Sequence, residues 1–108
     1  MSKSIATTDL GNDEQVVITT TWDWGVPTTT YAHLVHGTPA LHDDKYPAIV
    51  EKLANGRALR LEYWTLQGRH RARGPAVVRM DYYHQHRDEE YWLHGKRLAV
   101  RRVPFVCA

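Results

Sequence analysis

The chain has 108 residues, of which 43% are hydrophobic and 24% charged, and its formal net charge is +2. This composition excludes a disordered chain and predicts one folded domain, residues 1–108, with a single modest core. No apolar stretch is long enough for a membrane span and the N-terminus lacks the apolar core of a signal peptide, so we expect a cytoplasmic protein with no membrane partner.

Charge is distributed unevenly along the chain. Residues 1–55 carry three Lys against seven acidic residues, whereas residues 56–108 carry eleven Lys and Arg against five acidic residues. Arg predominates in the basic half, and its planar guanidinium suits bidentate contacts with carboxylate or phosphate. Either the basic half meets an acidic partner, or its Arg residues pair on a solvated face with the acidic residues Glu62, Asp88, Glu89 and Glu90.

The first third of the chain predicts a flexible start followed by a β-hairpin. Residues 1–15 are expected to be loosely ordered. VVITTTW at 16–22 and TTTYAHLV at 28–35 are rich in β-branched and aromatic residues, and residues 23–27 between them have turn chemistry.

The segment HDDKYPAIVEKLANG, residues 42–56, fits two structures. A capping Asp, an early Pro47 and apolar residues at helical spacing favour a short helix near 44–55. Asn55-Gly56 is also a strong two-residue hairpin signal, and the repeat described below aligns the segment with a strand. We favour the strand.

AVVRM and DEEYWL, further along the chain, also predict strands, joined through the polar YYHQHR. Gly68 and Gly95 are expected to supply positive φ angles where the chain reverses. The predicted fold class is therefore all-β, an antiparallel meander of consecutive hairpins.

A unit of 28 residues repeats in the sequence, because YPAIV at 46–50 recurs as GPAVV at 74–78, and EYW at 62–64 recurs as EYW at 90–92. Both pairs are displaced by 28 positions (74 minus 46, 90 minus 62). A weaker upstream copy contains Tyr31, Gly37 and His42, so the repeat region covers about residues 31–104.

GRHRARGPAVV at 68–78 and EYWLHGKR at 90–97 resemble the short MORN-like repeats of many bacterial and bacteriophage proteins. The resemblance implies consecutive β-hairpins and no single activity. Because small accessory phage proteins commonly inhibit host machinery, it suggests a phage-type inhibitor or modulator, for example of a CRISPR or other defence complex, acting in the cytoplasm of a bacterial host.

The sequence has only weak patterns for a metal site, a cofactor site or a catalytic site. His84 and His86 could share a strand face, but a zinc site needs three or four ligands and the one cysteine, Cys107, lies next to the C-terminus. Because the chain has a single cysteine, an internal disulfide is excluded. His42 and His70 are expected to orient turns by hydrogen bonding to backbone or by stacking. We predict no metal, no cofactor and no catalytic residue. A nuclease using His70, His84, His86 and Arg71 is the enzymatic alternative.

The composition favours a binding surface more than an enzyme site. The chain has four Trp and six Tyr, and Trp, Tyr and Arg are the residues that dominate binding hot spots. In each EYW triplet the Tyr and the Trp point to opposite faces, so either the tryptophans build the core or aromatic residues form a recognition surface. The candidate partner-binding residues are Arg69, Arg71, Arg73, Arg79, Tyr82, Tyr83, Arg87, Trp92, Lys96 and Arg97.

Two partners fit this set. The first is a host protein, or a protein–nucleic acid complex, with an acidic surface that docks on the sheet. The second is RNA or DNA, with Arg on phosphates and aromatic rings stacked on bases. A homodimer is also considered, formed by pairing of edge strands near Val16–Trp22 and Arg101–Val106, or through a disulfide at Cys107.

Overall fold

Antiparallel β-strands make up the part of the chain that the computed structural model describes, residues 2–23, 26–40 and 46–104. The strands are β1 (Ser2–Gly11), β2 (Glu14–Asp23), β3 (Val26–Val35), β4 (Thr38–Pro39), β5 (Ile49–Leu53), β6 (Ala58–Glu62), β7 (Trp64–Thr65), β8 (Gly68–Arg69), β9 (Val77–Asp81), β10 (His86–Leu93) and β11 (Lys96–Pro104). The predicted all-β hairpin meander is confirmed. The described residues include no helix that could span a membrane.

One sheet contains most of these strands, in the order β1-β2-β3-β5-β6-β9-β10-β11, and β4 pairs with β3 beside this path. Strands β7 and β8 form a separate two-stranded hairpin. The departure from a simple meander follows from this small hairpin, which lies between β6 and β9 in the chain but outside the main sheet.

The N-terminal half differs from the sequence prediction at two points. The sequence predicts a loosely ordered segment at residues 1–15, but β1 pairs with β2 from Ser2↔Trp22 to Gly11↔Glu14. Strand β2 is therefore covered on both sides, by β1 and β3, and the prediction of an open edge at Val16–Trp22 is wrong. Strand β1 contains few large apolar residues, and the structure places it in the sheet by pairing with β2.

The 28-residue unit is present in the backbone. Strand β9 begins and ends 28 residues after β5, and β10 begins 28 residues after β6. Ala48 N donates to Glu62 O at 2.8 Å, and Ala76 N donates to Glu90 O at 2.8 Å in the next unit. The helix alternative for residues 44–55 fails over the described residues from 46 onward, because Ile49–Leu53 is a strand hydrogen-bonded between β3 and β6.

Positive φ angles mark the predicted reversals. Gly68 has φ +110° and Gly95 has φ +81°, as expected for glycines at turns. His94-Gly95, between the paired Leu93 and Lys96, is a two-residue hairpin loop with positive φ at both positions, the type I′ geometry. The sharp reversal there turns the chain from β10 straight into the long edge strand β11.

The sheet has little core, and its buried apolar residues are mostly small: Val35, Ala40, Ala48, Tyr63, Ala76, Val77 and Val78. The molecule measures 45 × 37 × 21 Å and exposes 7233 Å². A monomeric protein of 12.5 kDa is expected to expose about 6,200 Å². Few of the described residues are buried, and the outermost strands of the main sheet, β1 and β11, each pair with one strand only among the described residues.

Candidate protein-binding surface

The EYW triplets have the same geometry in both units. The Trp64 indole Nε1 donates to Glu62 Oε1 at 3.0 Å, and the Trp92 indole Nε1 donates to Glu90 Oε1 at 3.0 Å. Glu90 and Trp92 lie two apart on β10 and share a face, and the same contact joins Glu62 at the end of β6 to Trp64 at the start of β7. The repeated triplet therefore encodes a structural contact inside the chain.

Arg69 joins the two triplets. Its guanidinium carbon lies 5.3 Å from the centre of the Trp64 ring and 5.2 Å from that of Trp92, a cation–π arrangement with both indoles. Its Nε donates to Glu62 Oε1 at 3.1 Å, and Arg60 Nη1 lies 3.1 Å from Glu62 Oε2. Glu62 is only 1% exposed, so these contacts satisfy a buried carboxylate.

The aromatic residues of the EYW triplets match neither of the two predicted arrangements, a core of tryptophans or an exposed aromatic recognition surface. Tyr63 is 7% exposed and belongs to the core, whereas Trp64 and Trp92 are half-buried beside Arg69. The tryptophans thus neither build the core alone nor lie free as a recognition surface.

Two further candidates, Arg71 and Tyr82, contact their own chain. The Arg71 guanidinium carbon lies 3.9 Å from the centre of the Tyr63 ring. The Tyr82 hydroxyl donates to Ala58 O at 2.5 Å, and the Arg57 guanidinium lies 5.3 Å from the Tyr82 ring. Both candidates hold neighbouring segments together.

Arg79 and Arg87 pair with glutamates of β10. Arg79 Nη1 donates to Glu90 Oε2, and Arg87 Nε donates to Glu89 Oε2 at 2.7 Å. Burial raises the pKa of Glu90, but hydrogen bonds from Trp92 and Arg79 outweigh it, and the pKa lies below its usual value. Of the two alternatives for the basic half, pairing within the chain holds for these arginines.

Glu89 is a second buried carboxylate, 6% exposed. Burial raises the pKa of Glu89, but hydrogen bonds from Arg87 and from the Tyr91 hydroxyl, 3.1 Å away, oppose this effect, and the pKa lies below its usual value. Arg101 lies directly opposite Glu89 across the β10–β11 pair and adds to the downward shift.

Five of the predicted candidates lie exposed, namely Arg73, Arg79, Tyr83, Lys96 and Arg97, and of these Arg79 is paired with Glu90. Tyr83 is 89% exposed on the turn between β9 and β10. Lys96 and Arg97 begin β11, where Arg101 and Arg102 lie further along. Arg102 Nε donates to Asp88 Oδ1 at 2.8 Å, and this contact lowers the pKa of Asp88.

We define the basic edge as β11, Lys96–Pro104, with its four cations Lys96, Arg97, Arg101 and Arg102. The strand contains no acidic residue, and all its residues except Val103 are exposed. Leu98 and Val100 are 56% and 58% exposed between the cations. The sequence prediction of an edge strand near Arg101–Val106 is confirmed for residues 101–104, the part of that range within the described residues. The list of candidate partner-binding residues included Lys96 and Arg97 but missed Leu98, Val100, Arg101 and Arg102.

The histidines contribute to turns. His70 Nδ1 accepts a hydrogen bond from His94 N at 3.0 Å, and the two rings stack at 4.3 Å, which confirms the predicted turn role of His70. His84 Nδ1 lies 2.8 Å from Asp81 Oδ2, and hydrogen bonds from the backbone and side chain of His84 lower the pKa of Asp81. Within residues 2–23, 26–40 and 46–104, no three His, Cys, Asp or Glu side chains are grouped as metal ligands. His42 and Cys107 lie outside the described residues.

Most of the arginines discussed above, Arg102 of the basic edge included, thus contact carboxylates or rings of their own chain, whereas Lys96 and Arg97 are exposed and have no ion-pair partner among the described residues. Comparison of the chain with protein-family models, with curated proteins and with solved structures finds no match.

Proposed function

We propose that this chain is a non-enzymatic protein-binding module whose partner presents an acidic surface to the basic edge. The observation that carries the proposal is the concentration of four cations on β11, where Lys96 and Arg97 have no ion-pair partner among the described residues. Charge complementarity of this kind accelerates encounter and selects against basic partners.

The resemblance to MORN-like repeats supports a finer proposal. By analogy with small accessory phage proteins, the module inhibits or modulates a host complex, for example a CRISPR or other defence complex, in the bacterial cytoplasm. An open sheet that exposes more surface than a monomer of its mass normally does is suited to covering a partner's surface, which is the simplest means of inhibition.

The experiment is an affinity pull-down from a bacterial lysate with the full chain. The test variant is Lys96→Glu with Arg97→Glu on β11, and the matched control is Lys3→Glu with Lys52→Glu, two exposed lysines of β1 and β5. Both variants change the net charge equally. The proposal expects a stoichiometric protein recovered by the wild type and the control and lost by the β11 variant.

Recovery of no stoichiometric protein, or equal recovery by both variants, would contradict the proposal. Titration with single- and double-stranded nucleic acid over a salt series tests the alternative partner. Affinity that falls steeply with salt, and more for the wild type than for the β11 variant, would favour nucleic acid instead.

A further inference from the structure

The open side of β11 has a defined backbone pattern. Glu90 O accepts from Ala76 N at 2.8 Å and Trp92 O accepts from Arg71 N at 3.1 Å, so the carbonyls of these alternate β10 residues face away from β11. The residues that alternate with them along β10, Glu89 and Tyr91, therefore direct their backbone groups toward β11.

Glu89 and Tyr91 are paired with Arg101 and Ala99. Backbone groups alternate in direction along an antiparallel strand, so the intervening Val100, and Arg102 beyond it, direct their N–H and C=O groups to the side opposite β10. In the described part of the chain, β11 pairs with β10 alone. Val100 and Arg102 thus present hydrogen-bonding groups that another strand can use.

The charge of β11 decides which strand fits. Arg101 lies opposite Glu89 and Arg102 lies opposite Asp88, so successive cations project to opposite faces of the sheet. Four cations on nine residues repel a second copy of the same strand, as charged edge strands generally do. The other open edge, β1, carries only Lys3 and Asp9 as charges and has no such preference.

We propose that β11 binds its partner by strand addition, accepting an extended segment with acidic side chains on both faces and apolar side chains that meet Leu98 and Val100. The inference rests on the proposed protein-binding function and adds the mode of recognition. Main-chain hydrogen bonds to Val100 and Arg102 supply part of the affinity, and the cations select an acidic sequence.

The test compares Val100→Pro with Val100→Ala. Proline removes the outward N–H of Val100 and its ring obstructs an added strand, yet proline is tolerated at an edge where the N–H faces away from the sheet. Alanine shortens the same side chain and keeps the N–H. Circular dichroism and thermal unfolding of each full-length variant establish that the fold is kept.

The probe is a blocked, fluorescently labelled peptide of the length of β11, built from Glu and Val, and its binding is measured by fluorescence anisotropy at low salt. We expect Val100→Pro to weaken binding by about tenfold or more and Val100→Ala to change it by about threefold or less. The same peptide with alternate backbone nitrogens methylated should bind the wild type about as weakly as the original peptide binds Val100→Pro.

Equal binding to both variants, or full binding of the methylated peptide, would overturn strand addition. If Val100→Pro still recovers the lysate partner that Lys96→Glu with Arg97→Glu loses, the protein-binding function stands and the mode is wrong. Should Val100→Pro prove misfolded, the methylated peptide against the wild type decides alone.

Discussion

Replacing Glu62 by Ala tests the buried carboxylate that binds Trp64 and Arg69, the arginine that also contacts Trp92 of the next repeat unit. The substitution leaves three donors without their acceptor, the Trp64 indole, Arg69 Nε and Arg60 Nη1. A hydrogen bond to a charged group contributes about 1.5–3 kcal/mol. The Arg60 and Arg69 side chains are 33% and 26% exposed and can be rehydrated, so their contributions lie at or below the lower end of this range.

The expected loss is therefore about 3 kcal/mol, a large part of the roughly 5–15 kcal/mol that stabilises a domain. At about 4–8 °C per kcal/mol for a domain of this size, Tm should fall by about 12–24 °C. The assay is chemical and thermal unfolding followed by far-ultraviolet circular dichroism, because the indole fluorescence is itself changed by the substitution.

The repeat supplies a matched control in Glu90→Ala. Glu90 holds Trp92 and Arg79, and the Arg79 side chain is 43% exposed, so the expected loss is about half as large, roughly 1.5 kcal/mol. A loss for Glu62→Ala below about 0.5 kcal/mol, or below that of Glu90→Ala, would refute the reasoning that burial makes the first glutamate the more important.

Three further predictions concern stability. The pKa values of Glu89 and Glu90 are lowered in the folded state, so the stabilisation by these carboxylates is complete above about pH 4.5, the ordinary pKa of a glutamate, and is lost as the pH falls through the folded-state pKa values. A free energy of unfolding that does not change on acidification would contradict this. Gly74→Ala should lower the free energy of unfolding by about 1–3 kcal/mol, because Gly74 has φ +132° and an added Cβ would lie 3.3 Å from the Arg71 guanidinium. Urea unfolding measures this loss, and an unchanged midpoint would show that the loop adapts. Tyr82→Phe should cost about 1 kcal/mol by removing one hydrogen bond to a backbone carbonyl, and a neutral result would indicate that water replaces it.

Much of the fold follows from local sequence signals. β-Branched and aromatic runs predict strands wherever glycine-containing turns separate them, as at Asn55-Gly56 and His94-Gly95. The segment 42–56 shows the limit of such signals, because helix and hairpin features coexist there. Pairing of Ile49–Leu53 with β6 across the following turn, and with β3, which lies outside this segment, decides in favour of the strand.

The partner-binding residues were predicted less accurately than the fold, because residue type alone does not show which arginines pair within the chain. Arg69, Arg79 and Arg87 have the residue type and charge of binding residues, but each lies against a carboxylate of its own chain. The pairs of Arg69 and Arg79 join different strands and therefore depend on strand order and register, whereas Arg87 pairs with a glutamate two residues away on β10. A one-residue shift in register would move every side chain to the other face.

The sequence by itself determined that this chain forms consecutive hairpins with a unit of 28 residues, because propensity and turn chemistry act over a few neighbouring residues. Only the tertiary structure decided that β1 orders the N-terminus and that Glu62 and Glu90 hold the tryptophans that follow them. It also decided that β11 is the edge where cations remain exposed, because an edge is a property of the complete strand order.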